Sequence, residues 1–191
     1  ALGLDAYPPG TIHLGSFGYV DIRTKMHDIV VEAAAWLTQW GHSVAVHFVG
    51  SASVAQGAPL QARARAAGLA GFQITGFTSE EDFRNWLLAV DLGVQLRISP
   101  LLGVSGPLSD LAAYGTPAVA SRGLCVDVDP PAFVQPLPDA VSPVTVAEAI
   151  EEAIKAPMPP QERERLRTAY LDEKSPDRSA QALLGLLEAR S

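Results

Sequence analysis

The sequence predicts an α/β fold, a parallel sheet of about six strands with helices on both faces, on three observations. Short apolar runs alternate along the chain with longer amphipathic stretches. The runs are apolar almost throughout, as in strands covered on both sides, and lack the apolar/polar alternation of a sheet with one wet face. Loops rich in glycine and serine follow the runs, so they gather at the carboxyl ends of the strands, where parallel sheets bind ligands.

Pro8, Pro9 and Gly10 stand in succession, so residues 1–10 read as a linker. Residues 11–14 form the first strand. The following loop, GSFGYVDIRTK, has permissive backbone at Gly15 and Gly18 and charge at Arg23 and Lys25. From about Lys25 to Trp40, Ile29, Val30, Ala33, Ala34, Leu37 and Trp40 recur at helical spacing until Gly41. Residues 44–49 make a doubly buried strand stopped by Gly50, and a helix over 60–67 and a strand over 72–75 come next. Ser79 then caps a helix with an acidic first turn, Glu80, Glu81 and Asp82, and an apolar stripe of Phe83, Trp86, Leu87 and Val90.

Residues 92–122 organise the rest. Leu92, Val94 and Leu96 form a strand ending at Arg97. Ser105, Gly106 and Pro107 suit an N-cap serine with proline in the first turn, Gly115 closes that helix, and 117–120 resume a strand. Such a helix start directs unpaired N–H groups and the positive end of its dipole past the strand, where a phosphate fits. Asp110, on the first turn and a half, reaches sugar hydroxyls beside that phosphate. From spacing alone, the plainer reading of Ser105 and Asp110 as cap and solvation of a surface helix is favoured. Four prolines then surround an edge strand at 132–135. Helices are expected at 144–155, 161–171 and from Ser175 or Pro176 to 187, the last two on the outside of the domain or against a partner domain.

Composition excludes several classes. A formal charge of -7 does not suit a surface for nucleic acid, which needs clustered Lys and Arg. One cysteine, Cys125, leaves neither an intrachain disulfide nor a cysteine-rich metal site, and reads as a small buried residue. Apolar runs are too short to cross a bilayer, and the start shows no basic segment before an apolar one, so a cytoplasmic protein is expected. The chain opens at Ala1, as expected of a portion of a longer protein. His13, His27, His42 and His47 lack zinc-ligand spacing and read as satisfied core or edge residues, and Trp36, Trp40 and Trp86 read as core.

The blocks HLGSFGYVDIRTKMHDIVVEAAAWL, VHFVG, ITGFTSEEDFRNWLLAVDLGVQLR and SGPLSDLAAYGTPAVAS, in that order over residues 10 to 125, resemble the C-terminal half of a family 4 glycosyltransferase with the GT-B fold. The resemblance implies a Rossmann-like nucleotide-sugar-binding domain over 11–157 with C-terminal helices over 158–191 packed on it. It implies retaining transfer of a sugar from a nucleoside-diphosphate donor, UDP or GDP, with no metal and no separate cofactor. An N-terminal acceptor-binding half is then the missing partner.

By the same resemblance, the donor diphosphate falls on Gly15, Ser16, Arg23, Lys25, Arg97, Ser105, Gly106 and Leu108, and the base and ribose on Gly76, Phe77 and Asp110. Lys25 matches the lysine after the first glycine-rich loop, while Val20 stands where the family has a companion arginine, leaving Arg23 to substitute from another position. Pro107 has no N–H to donate. The family's glutamate shortly before Ser-Gly, which contacts the donor sugar, is absent: Leu101, Leu102, Gly103 and Val104 fill that region, with Gly103 its closest match. No catalytic residue is assigned. The alternatives are a degenerate domain of this fold serving as a scaffold and, last, a sugar-nucleotide epimerase, which would need cleft carboxylates.

Overall fold

The computed structural model describes residues 2–98, 103–175 and residue 178. Six strands form one all-parallel sheet: β1 Ile12–Phe17, β2 Val44–Val49, β3 Gly71–Ile74, β4 Leu92–Gln95, β5 Ala118–Ser121 and β6 Val134–Leu137. Their order across the sheet is β3-β2-β1-β4-β5-β6. The chain thus winds outward from β1 to β3, crosses back to β4, and winds outward the other way. That crossover leaves a crevice beyond the carboxyl ends of β1 and β4, where sheets of this topology bind ligands.

The two-residue period of the strands splits the core in two. Leu14, Val46, Phe48, Val94 and Val119 face one way, against α1 (His27–Gln39), α2 (Val54–Ala66) and α6 (Pro143–Lys155). Phe17, Val49, Ala118 and Ala120 face the other, against α3 (Glu80–Ala89), α4 (Gly106–Tyr114) and α5 (Arg122–Val128). A seventh helix, α7 (Pro160–Glu173), packs on α4 through Arg167, whose Nε donates to the carbonyl of Ala113 at 2.6 Å. Ser79, Ser105 and Ser142 each cap a helix by accepting a backbone N–H, from Asp82, Leu108 and Thr145 respectively.

Several expectations are corrected. β1 runs on to Phe17, so Gly15 and Ser16 are strand residues and not loop residues. Gly15 pairs with Gly93 of β4, and a Cβ on it would stand 2.9 Å from the side chains of Phe17 and Val90. Its absence lets α3 close on the sheet. α2 begins at Val54, six residues early, and carries Pro59 within it, against the usual cost of an interior proline. Residues 121–127, which by their place after a strand were expected as a loop at the ligand edge, instead run into α5, held by buried Leu124 and Val128. β6 starts at Val134 and includes Pro136, tolerable on an edge strand. Trp36 and Trp40 are each 38% exposed, outside the core, and only Trp86 is buried.

Residues 2–10 are not loose chain. They hold a 3-10 turn at Leu4–Ala6, and the Tyr7 ring packs edge-on against His13 and His47. The helix expected from residue 175 or 176 to 187 lies outside the described residues. No described helix is long and apolar enough to cross a membrane.

Candidate functional site

The site grows from the loop after β1. Gly18 takes φ 96°, its N–H bonds the Val49 carbonyl at 2.9 Å, and the N–H of buried Val20 bonds the Ser51 carbonyl at 2.8 Å. The loop is therefore tied to the end of β2. The Asp21 carboxylate folds the next turn onto itself, accepting from the Arg23 N–H at 3.0 Å and from the Thr24 hydroxyl. Those contacts hold the Asp21 carboxyl below its usual range, the Thr24 bond most of all. The Lys25 N–H donates to the Asp21 carbonyl at 3.0 Å, and the Ile98 N–H donates to the Thr24 carbonyl at 2.9 Å. That last bond joins the loop to the end of β4, next to Arg97.

The Lys25 ammonium reaches back over Gly18. A Cβ on Gly18 would lie 2.8 Å from Lys25 Nζ and 3.4 Å from the Pro107 ring, so loop, lysine and start of α4 meet at one point. Burial lowers the Lys25 pKa, the charge of Arg97 lowers it further, and Asp21 opposes both. Arg97 is anchored through its N–H to Ser121 Oγ at 2.9 Å and directs one guanidinium N–H to the Gly103 carbonyl at 3.3 Å. Two cations, Lys25 in the loop after β1 and Arg97 at the end of β4, thus act on each other near the positive end of α4, an arrangement that attracts a multiply charged anion.

Beside them lies a cavity of about 530 Å³ lined by Gly18, Gly50, Phe77, Arg84, Asp110 and Tyr114, among others. Phe77 is 94% exposed, an open aromatic face. Burial raises the Asp110 carboxyl above its ordinary pKa. Asp110 and Tyr114, four apart on α4, share one face of that helix, a pairing readable from spacing.

Of the residues expected at the diphosphate, the structure gathers Lys25, Arg97 and the start of α4. It does not gather the others. Gly15 and Ser16 are buried in β1, Arg23 is exposed, and the charges acting on Lys25 are those of Arg97 and Asp21. Leu108 is fully buried, with its N–H taken by Ser105, which is itself buried. Gly106, whose Cβ position meets no atom, is the open backbone there. Phe77 and Asp110 share a cavity, whereas Gly76, at φ 76°, lines a different one of about 490 Å³ between α2 and β3. Tyr114 and Arg84 carried no assignment in the sequence, Gly50 was read there only as the stop of a strand, and His27 only as a core or edge residue.

No protein-family model and no curated protein matches the chain. Solved structures do. The chain is similar to Anabaena Alr3699/HepE, solved with UDP and glucose, at 16% identity and TM-score 0.68, over 94% of this chain and 49% of that one. It is similar to the C-terminal domain of the glycosyl transferase group 1 family protein LpcC from Francisella tularensis, at 19% identity and TM-score 0.68, over 91% and 90% of the two. A third likeness is the catalytic domain of the Helicobacter pylori cholesterol-alpha-glucosyltransferase, at 15% identity and TM-score 0.57, over 85% and 97%.

The fold is that of GT-B C-terminal domains. The chain spans about half the length of the Anabaena protein. In this GT-B fold the cation pair, the start of α4 and the Phe77–Asp110 cavity share the carboxyl edge of the sheet. A larger cavity of about 790 Å³, lined by Thr11, Asp91, Phe133 and Met158, opens at the opposite edge, where the strands begin, and has no part in this site.

Proposed function

We propose that the chain is the nucleotide-sugar-binding domain of a retaining, family 4 glycosyltransferase that works in the cytoplasm and whose acceptor-binding half lies outside this chain. The observation that carries the reading is the meeting of the Lys25 ammonium, the Gly18 turn and the Pro107 ring at the start of α4, with Arg97 near enough for its charge to lower the Lys25 pKa. Like charges held together with one of them half buried are unfavourable unless an anion lies between them. A diphosphate supplies that anion. Phe77 offers a face for the base, and Asp110 accepts hydrogen bonds from ribose hydroxyls in the adjoining cavity. The UDP and glucose found with the Anabaena protein support a nucleotide sugar as the ligand class.

In this reading Lys25, Arg97 and the Gly106 N–H hold the diphosphate and stabilise its charge as the sugar leaves. Gly103 offers no carboxylate to the developing positive charge on the sugar, so phosphate and backbone must carry that task. The same glycine favours a second reading, a domain of this fold that serves as a non-catalytic scaffold. Calorimetric titration with UDP, GDP and ADP, with and without magnesium, tests the first: one nucleotide binds without metal, and Asp110→Ala weakens it. A folded chain that binds none of the three contradicts it, and an Asp110→Ala protein with unchanged function in the full-length chain favours the scaffold.

A further inference from the structure

Behind the β1–α1 loop lies a histidine that ligand binding does not use. His27 is fully buried, the first residue of α1, with its ring edge-on to Phe48 at 4.6 Å between centroids. Its Nδ1 lies 3.1 Å from both the Asp21 N–H and the Asp21 carbonyl, and its Nε2 lies 3.4 Å from Ser16 Oγ. The Asp21 carbonyl already accepts the Lys25 N–H. The arrangement that uses every group therefore has the Asp21 N–H donating to Nδ1 and the Nε2–H facing Ser16.

We propose that His27 is the positioning residue of the diphosphate clamp: its neutral imidazole fixes Asp21, and Asp21 fixes Lys25 beside Arg97. This rests on the reading of that edge as a diphosphate site. A second observation agrees. Met26, between Lys25 and His27, has φ 53°, a left-handed conformation that a residue with a side chain keeps only where its surroundings hold it. Lys25 before it and His27 after it, both bonded to Asp21, and the packing of Met26 on the core supply the hold. Gln56 of α2 reaches the Asp21 carboxylate at 3.4 Å, so a third element braces the turn. Burial keeps the imidazole neutral, pushing its pKa down to about 4; the Lys25 charge adds to this, while the Asp21 backbone contact and the charges of Asp21 and Asp28 oppose it.

The test is titration of this chain, native and substituted, with inorganic pyrophosphate and with UDP. In His27→Asn the amide oxygen takes the place of Nδ1, and affinity stays within about threefold of native. His27→Leu fills the space and accepts nothing, and affinity falls about tenfold, the worth of one hydrogen bond transmitted to the ammonium. In a Lys25→Ala background His27→Leu has no further effect, which a purely structural role would not produce. His27→Gln, which reaches Ser16 and not Asp21, replaces the leucine variant if that does not fold, with the same expected loss. Native affinity in His27→Leu or His27→Gln, or equal losses in the asparagine and leucine proteins, overturns the proposal. A native chain that binds neither pyrophosphate nor UDP overturns the diphosphate reading beneath it.

Discussion

Lowering the pH from 7 to 5 should cost this fold a large part of its stability, through two histidines. Burial pushes the pKa of His27 and of His47 from 6.5 down to about 4. For His47 a second cause is its neighbour: His13 Nδ1 stands 3.0 Å from His47 Nε2, and the Tyr7 and Trp86 rings pack against His47. A base whose native pKa is depressed takes its proton first in the unfolded chain. Its contribution is therefore complete above pH 6.5, falls as the pH drops below that, and levels off below 4. With those two values, each histidine loses about 2 kcal/mol between pH 7 and 5, and the pair about 4, out of a typical total of about 5 to 15. Asp110, whose carboxyl pKa is raised, acts in the opposite direction, while Asp21 and Glu151, whose carboxyls are lowered, act in the same one. Urea unfolding followed by tryptophan fluorescence at pH 7, 6 and 5 measures the slope, and His47→Gln should remove about half of it. Parallel slopes in native and His47→Gln proteins would refute the reasoning.

Gly50→Ala places a Cβ 2.0 Å from the Gly18 carbonyl oxygen, a backbone atom that cannot swing aside. Denaturant unfolding should show a loss of about 1 to 3 kcal/mol, and UDP affinity should fall as the loop carrying Lys25 shifts. Thr116→Val removes the buried bond from Thr116 Oγ1 to the Leu87 carbonyl, 2.6 Å long, that joins the end of α4 to α3. It should cost about 1 to 3 kcal/mol in denaturant unfolding and, because Leu87 also lines the Phe77–Asp110 cavity, lower UDP affinity by less than the loss of Asp110 does. Asp110→Asn keeps the shape and the acceptor oxygen but not the charge, and UDP affinity should fall about tenfold by calorimetry.

The strands themselves and most helix starts were legible because their signals are local. Val44–Val49 is apolar but for His47, and Ser79 and Ser105 sit where a cap must. Where tertiary contact overrides a local signal, the sequence misled. Gly15 resembles a loop glycine, yet its role appears only beside its sheet partner Gly93 and the side chain of Val90. α5, seven residues long, is too short to display a period. Of the candidate residues, block order placed Lys25, Arg97, Phe77 and Asp110 at one sheet edge, as the structure does, but Gly76 was grouped with Phe77 because they are adjacent in sequence, and the two line different cavities. His27 acts through backbone groups that only the fold brings to it.

The central claim is that Lys25 and Arg97 are held together to grip a diphosphate. Titration of UDP into the native chain and into Lys25→Met, Arg97→Met and the double variant tests it most directly. Native binding should weaken as salt rises, and each single loss should lower affinity about tenfold or more, the two acting jointly in the double variant. Equal affinity for UDP in the native and doubly substituted chains would contradict the account.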